Sequence, residues 1–270
     1  MDETWRHEQT RRAWDITAAK YEAEAEEGLR LLREGGTSLL SPEQRVLAPL
    51  LADCGRAIHL QCAGGTDTLS LWKGGAREVV GLDISEPMLR CARRKAEALG
   101  APALWVRSDV LDAPPDLDGT ADLVYTGRGA LPWVMDLEAW AATVHRLLKP
   151  GGHLFVYEGH PLDWVWDFDA ATYTPSPESG GYFAQSPRVD RGWPMPFVAH
   201  RDPRPPDDVH AHEHQWTLGQ VVTASAAAGL RVMRLEEHPE PYWDQFTNLP
   251  AALQELLPHT FLLLCRKGGS

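Results

Sequence analysis

The chain has 270 residues, 43% of them hydrophobic, and a formal net charge of -12. That length and apolar content are enough to bury a full core, and they suit one α/β domain with an added subdomain better than two equal domains. The negative balance repels a phosphate backbone, and no basic stripe is interleaved with aromatic residues, which argues against a nucleic-acid partner. The opening MDETWRHEQT is polar and charged, unlike the apolar segment of a signal peptide. No run reaches the roughly 18 apolar residues of a membrane span. Cys54, Cys62, Cys91 and Cys265 lack metal-ligand spacing and read as reduced thiols, so a soluble cytoplasmic protein is expected.

In chain order, Trp14, Ala18, Tyr21 and Ala25 recur at helical spacing and predict one or two amphipathic helices over 8–33. Gly35, Gly36 and Ser41-Pro42 interrupt the pattern, Glu43 to Leu51 resumes it, and residues 1–52 read as an N-terminal helical lid. A cofactor-binding core is expected over 53–158. Its strands are predicted at 57–60, 78–82, 104–107, 121–125 and 153–158, with helices starting at Asp67, after Ser85 and after Asp136. Lys149-Pro150-Gly151-Gly152 is expected to stop the last of these helices. Such alternation predicts a Rossmann-like, mostly parallel seven-stranded sheet with helices on both faces. Residues 159–215 hold nine prolines and little helical period, which predicts an inserted cap after strand five. The core resumes over 216–270 with a helix at 217–228 and strands at 230–235 and 260–266.

The chemistry concentrates in 57–83, AIHLQCAGGTDTLSLWKGGAREVVGLD, a strand, a small-residue turn, a helix, and a strand ending on an acid. In a doubly wound sheet this unit sets backbone amides and one carboxylate around a nucleoside, so an adenosine-containing cofactor is expected. Asp83 stands 18 residues after Gly65, where a carboxylate can accept from both ribose hydroxyls. Ser85 already serves as the cap of the next helix. Three further motifs follow in order: Asp109-Val110 within RSDVLDAP, Thr126-Gly127-Arg128-Gly129 after strand four, and Glu158 leaving strand five.

Residues 57–158 resemble the core of class I S-adenosylmethionine-dependent methyltransferases, and 217–267 resemble that fold's closing helix and antiparallel hairpin. The resemblance implies S-adenosylmethionine as cofactor and S-adenosylhomocysteine as product. It places Gln61, Cys62, Ala63 and Gly65 at the cofactor turn, Asp83 with Ile84 and Met88 at the ribose, and Asp109 with Val110 at the adenine. Thr126 and Gly127 fall beneath the sulfonium, and Tyr21 or Trp14 on the lid either closes over it or packs in the core. His59 and Gln61 depart from the pattern, which has there an acid that helps to orient the cofactor's ammonium, and a glycine. The small Ala63 and Gly65 are read as leaving room for the methionine end.

The acceptor is expected to be a small molecule bound under the insert. Arg128 or Arg201 is a candidate for orienting an anionic group, unless solvated, and Trp133 either lines the pocket or packs on the next helix. Trp164, Trp166, Trp193, Trp216, Tyr182, Phe183 and Phe197 suggest a flat aromatic or isoprenoid acceptor, or simply hold the insert together. Glu158, His160 and His214 are the candidate bases. His210, His212 and His214 alternate, but the spacing is unlike zinc motifs, and no metal is expected. The rival readings are a cofactor-binding cyclase or binding module without methyl transfer, and a nicotinamide-dependent oxidoreductase. Oligomeric state is not legible.

Overall fold

The computed structural model describes residues 4–176, 180–184, 186–190 and 209–269. Three helices, α1 (Thr4–Ala23), α2 (Ala25–Arg33) and α3 (Ser41–Leu51), precede the first strand. The core then alternates through β1 (Arg56–Leu60), α4 (Thr66–Lys73), β2 (Glu78–Asp83), α5 (Glu86–Leu99) and β3 (Ala103–Arg107). It continues with β4 (Ala121–Gly127), α6 (Leu137–Leu147) and β5 (Leu148–Gly159). After the insert come α7 (Leu218–Ala227), β8 (Leu230–His238), the short α8 (Ala251–Gln254) and β9 (Thr260–Lys267). The strand order is β3-β2-β1-β4-β5-β9-β8. Strands β1 to β5 run parallel, and β9 lies antiparallel between β5 and β8.

Alternation along each strand divides the core into two layers, because successive side chains on a strand point to opposite faces. Ile58, Leu60, Val124, Leu154, Val156 and Leu263 face Trp140, Val144 and Leu147 of α6 and Val221 of α7. Ala57, Leu123, Tyr125, Phe155, Tyr157 and Leu262 face Val46, Leu47 and Leu51 of α3 and Leu71 of α4. On this second face His59, Tyr125 and Phe155 form a cross-strand aromatic row, with His59 edge-on to Tyr125 at 4.7 Å and Tyr125 stacked on Phe155 at 5.7 Å. Doubly wound order puts the site at the carboxyl ends of β1 and β4, where the crossovers leave in opposite directions.

The caps read from sequence at Ser85 and Asp136 are formed, and the structure adds one at Thr217. The Ser85 and Asp136 side chains accept from Met88 N and Ala139 N, and Thr217 makes a reciprocal cap with Gln220. Several boundaries differ from expectation: α1 starts at Thr4 and β4 runs on to Gly127. The Lys149-Pro150-Gly151-Gly152 segment stops α6 but belongs to β5, because Leu148 already pairs with Ala121 before a register shift. Strand β8 runs on to His238 because β9 pairs with it that far.

Within the insert, β6 (Arg188–Asp190) and β7 (Ala211–Glu213) pair antiparallel. Strand β7 lies against α1, where Thr10 Oγ1 accepts from His212 N at 3.0 Å and His212 Nε2 meets Gln9 Oε1 at 2.6 Å. Aromatic contacts tie the insert's first half to the β8–β9 connection: Phe168 and Tyr173 both pack on Phe246. Trp193, Phe197 and Arg201 lie outside the described residues. No helix among the described residues is long and apolar enough to cross a membrane.

Trp140 is fully buried in the α6 layer. Trp140→Ala should lower unfolding free energy by about 3–5 kcal/mol, measured by denaturant titration, because truncation leaves a cavity that the layer cannot refill.

Candidate functional site

The turn between β1 and α4 is wound through left-handed backbone. Gln61 (φ 56), Ala63 (φ 45) and Gly65 (φ 77) all take positive φ. A non-glycine residue there costs energy, of order 1 kcal/mol. Gln61, Ala63 and Arg128 are the three non-glycine positive-φ residues among those described, and all three line one cavity. Strain collected in one wall is a pointer to function. Gly65 is required for a different reason from the one expected. A Cβ there would lie 2.5 Å from Trp105 and 2.6 Å from Ala92, so the glycine admits close packing of α5 and β3. The close approach on the cavity side is at Gly64, whose added Cβ would meet Tyr21 at 3.0 Å.

Asp83 ends β2 on the cavity floor. Its Oδ2 accepts from Ala63 N at 2.8 Å and its Oδ1 from Ser85 N at 2.9 Å. Burial, offset only in part by those donors, pushes its pKa up to about 6. Asp109 lies farther along the same wall, where Oδ1 accepts from Leu111 N and Oδ2 pairs with His7 Nδ1 at 2.5 Å. Met135 N donates to His7 Nε2, which leaves Nδ1 as the donor to Asp109. Helix α1 is thereby fastened over the cavity by His7 at one point and by Asp15 at another, since Ser85 Oγ donates to Asp15 Oδ1 at 2.7 Å. Trp14, from the same helix, meets Trp133 edge-on at 5.4 Å.

The other end of the cavity holds a half-buried ion pair. Arg128 contacts the Asp67 carboxylate through Nη2, donates from Nη1 to Ser38 O at 2.9 Å, and lies 3.9 Å from Glu43. Ser38 Oγ donates to Asp67 Oδ1 at 2.6 Å, and Tyr125 Oη donates to Glu43 Oε1 at 2.6 Å. Burial alone would lower the Arg128 pKa, and Asp67, Tyr125 and Glu43 together outweigh it and raise the value. Burial likewise works against the Asp67 charge, yet Arg128 holds that carboxyl below its ordinary value. Next to this pair, burial pushes His59 down to about 4, leaving a neutral imidazole whose Nδ1 meets Thr68 Oγ1 at 2.8 Å. Gln61 reaches across to the loop after β4, donating from Nε2 to Ala130 O at 2.8 Å, while its buried Oε1 has no hydrogen-bond partner.

These residues surround a cavity of about 330 Å³, within the range of small-molecule sites. Of the residues expected at the cofactor, Tyr21, Gln61, Cys62, Ala63, Gly65, Asp83, Ile84, Asp109, Val110 and Gly127 line it. Met88 and Thr126 are fully buried behind the wall. Arg128 and Trp133 line it, but Arg128 is committed to Asp67 rather than solvated. Trp164 and Trp216 instead border a separate cleft of about 20 Å³.

The three candidate bases lie outside the main cavity. Glu158 accepts from the backbone amides of Gly129, Ala130, Leu131 and Gly159, which fixes the loop after β4. His160 accepts from Leu162 N at Nδ1 and donates from Nε2 to Glu237 at 2.9 Å. His214 stacks on Trp216 at 3.7 Å. His212 turns to Gln9. No group of three or more His, Cys, Asp or Glu among the described residues is placed to hold a metal ion.

The structure adds His7, Thr10, Asp67, Ser108 and Tyr242 to the cavity wall. Asp67 was within reach of sequence reasoning, as the acid in the first turn of a helix that opens on the motif. Tyr242 sits in the irregular β8–β9 connection, and only folding brings it to Gly129.

Residues 57–152 match the family described as Methyltransferase domain. Demethylmenaquinone methyltransferase of Thermus thermophilus is 40% identical over 105 residues, 38% of this chain and 47% of that protein. The 4-amino-L-phenylalanine/4-methylamino-L-phenylalanine methyltransferase of Streptomyces pristinaespiralis is 35% identical over 138 residues, 42% of this chain and 44% of that protein. The chain thus spans about half the length of the curated relatives it matches. An S-adenosylmethionine-dependent methyltransferase structure from Mesorhizobium loti superposes with a TM-score of 0.60 and 26% identity, covering 84% of this chain and 96% of the other. Residues 57–152 thus match a methyltransferase domain, on a seven-stranded fold shared with that S-adenosylmethionine-dependent methyltransferase structure.

Proposed function

We propose that the protein is an S-adenosylmethionine-dependent methyltransferase acting on a small-molecule acceptor. The observation that carries this reading is Asp83, a buried carboxylate fixed by two backbone amides on the floor of a cavity that also holds Asp109 and the strained turn. Each carboxylate oxygen keeps a lone pair for a hydroxyl donor, which suits a ribose diol. The rest of the wall fits the same group: Asp109 and the Val110 amide suit an adenine edge. The orphaned Gln61 Oε1 and the Asp67–Arg128 pair suit a charged polar end.

When bound, S-adenosylmethionine supplies an electrophilic methyl on a sulfonium. The chain's own part is then alignment and exclusion of water. Helix α1 covers the cavity through His7, Asp15 and Trp14. Trp14, Trp133 and Tyr242 border the acceptor's approach and favour a flat or apolar molecule. Demethylmenaquinone and 4-amino-L-phenylalanine, in the names of two relatives, are of that kind. Inside the cavity Asp67 is bound to Arg128, Asp109 to His7 and His59 to Thr68. Such commitments favour an acceptor that attacks without losing a proton to the enzyme. Glu158, His160 and His214 have no acceptor role in this reading. Incubation with methyl-labelled cofactor and a panel of quinols, aromatic amines and phenols should move label to at least one class. Binding with no transfer to any class would favour the cyclase or binding-module reading.

Three outcomes follow from the geometry. Ribose hydroxyls donate to the ionised form of Asp83, so ligand binding must release a proton below about pH 6. S-adenosylhomocysteine affinity, measured by calorimetry from pH 5 to 8, should be flat at the upper end and fall toward tenfold per unit below 6. Asp83→Asn should bind roughly 10–100-fold more weakly at pH 8, the loss of a charged hydrogen-bonding group. His7→Ala removes one of the ties holding α1 across the cavity. Amide exchange in the first turns of α1 should rise about tenfold or more, with β4 unchanged.

A further inference from the structure

The departure of His59 from an acid leaves a question that the cavity answers from another element. Among the described residues its wall holds three carboxylates, Asp67, Asp83 and Asp109. Asp83 is anchored to the Ala63 and Ser85 amides, and Asp109 to His7 and Leu111 N. Both belong to the nucleoside side. Asp67 alone stands on the side of Tyr21, His59 and Arg128, in the first turn of α4. Two features prepare it for a cation. Arg128 and Ser38 keep it ionised and oriented, and Gln61 offers a buried carbonyl oxygen with no partner in the same wall. An acceptor oxygen left unsatisfied in a buried site is costly unless a ligand donor meets it. His59, neutral and turned to Thr68, carries no charge to oppose a cation there.

Resting on the cofactor reading above, we infer that Asp67, assisted by Gln61 Oε1, receives the ammonium of the cofactor's amino-acid end, the task left open by His59. Arg128, in the same cavity wall, is the positioning residue that holds Asp67 in place, with Ser38 and Glu43 as its other neighbours. The first-turn acid of α4 has thereby taken over from a position on β1, and the glutamine on the left-handed turn supplies the second acceptor.

The test is calorimetry on the full chain, wild type and Asp67→Asn, with three ligands. These are S-adenosylhomocysteine, its analogue lacking the amine, and 5′-methylthioadenosine, which lacks the whole amino-acid end. Removing the amine should weaken wild-type binding at least about tenfold and should cost the Asp67→Asn protein little, since the interaction is already gone. Methylthioadenosine affinity should stay within about twofold between the two proteins, which also shows that the variant is folded. Equal losses for all three ligands in the variant, or no wild-type penalty for the missing amine, would overturn the assignment while leaving the cofactor reading in place. A missing wild-type penalty overturns the assignment even where the variant does not fold. A wild-type protein that binds none of the three overturns the cofactor reading and this inference with it.

Discussion

The carboxylate of Asp83 fastens two turns with one group. It accepts from Ala63 in the turn after β1 and from Ser85 at the start of α5. A buried charge is tolerated only where donors converge on it. Here the backbone of both turns supplies them. The left-handed residues of the first turn, the cap of α5 and the floor of the cavity are therefore fixed by the same interaction. Asp15 extends the link through Ser85 to α1, so the covering helix takes its position from that floor.

Around this anchor the cavity is polar at both ends and aromatic at its rim. One end has Asp83 and Asp109, the other Asp67 and Arg128, and Trp14, Trp133 and Tyr242 stand between lid and loop. The loop after β4 keeps its shape because Glu158 gathers four backbone amides, a structural use of the acid at the end of β5. Burial raises the pKa of that carboxyl, and the four amides work against the rise. Gly127 is needed at the loop's base, where a Cβ would lie 2.2 Å from Tyr157 O. The insert contributes to the site indirectly: β7 supports α1 through Thr10, and its early aromatics buttress the connection that carries Tyr242.

The fold was legible because its signals are local. Helical spacing, the Ser85 and Asp136 caps, and the spacing from Gly65 to Asp83 each depend on a few neighbouring residues. The cavity residues that follow β1, β2 and β3 were legible for the same reason, since each falls at or just after the end of a strand. What stayed hidden depends on long-range packing. Nothing near Glu158 in sequence reveals that the loop of residues 129–131 consumes its lone pairs, and nothing near His160 reveals Glu237. His7 and Tyr242 reach the cavity from segments 102 residues before Asp109 and over a hundred after Gly129, by docking rather than by motif. Arg128 was found as a residue but not as an ion-pair partner, because Asp67 lies on another element.

The most direct measurement is a crystal structure of the full chain with S-adenosylhomocysteine. The account predicts both ribose hydroxyls at hydrogen-bond distance from Asp83, about 2.5–3.0 Å, with adenine beside Asp109 beneath α1. A ligand that leaves Asp83 without a hydroxyl partner, or crystals grown with saturating ligand that show none in the cavity, would contradict it.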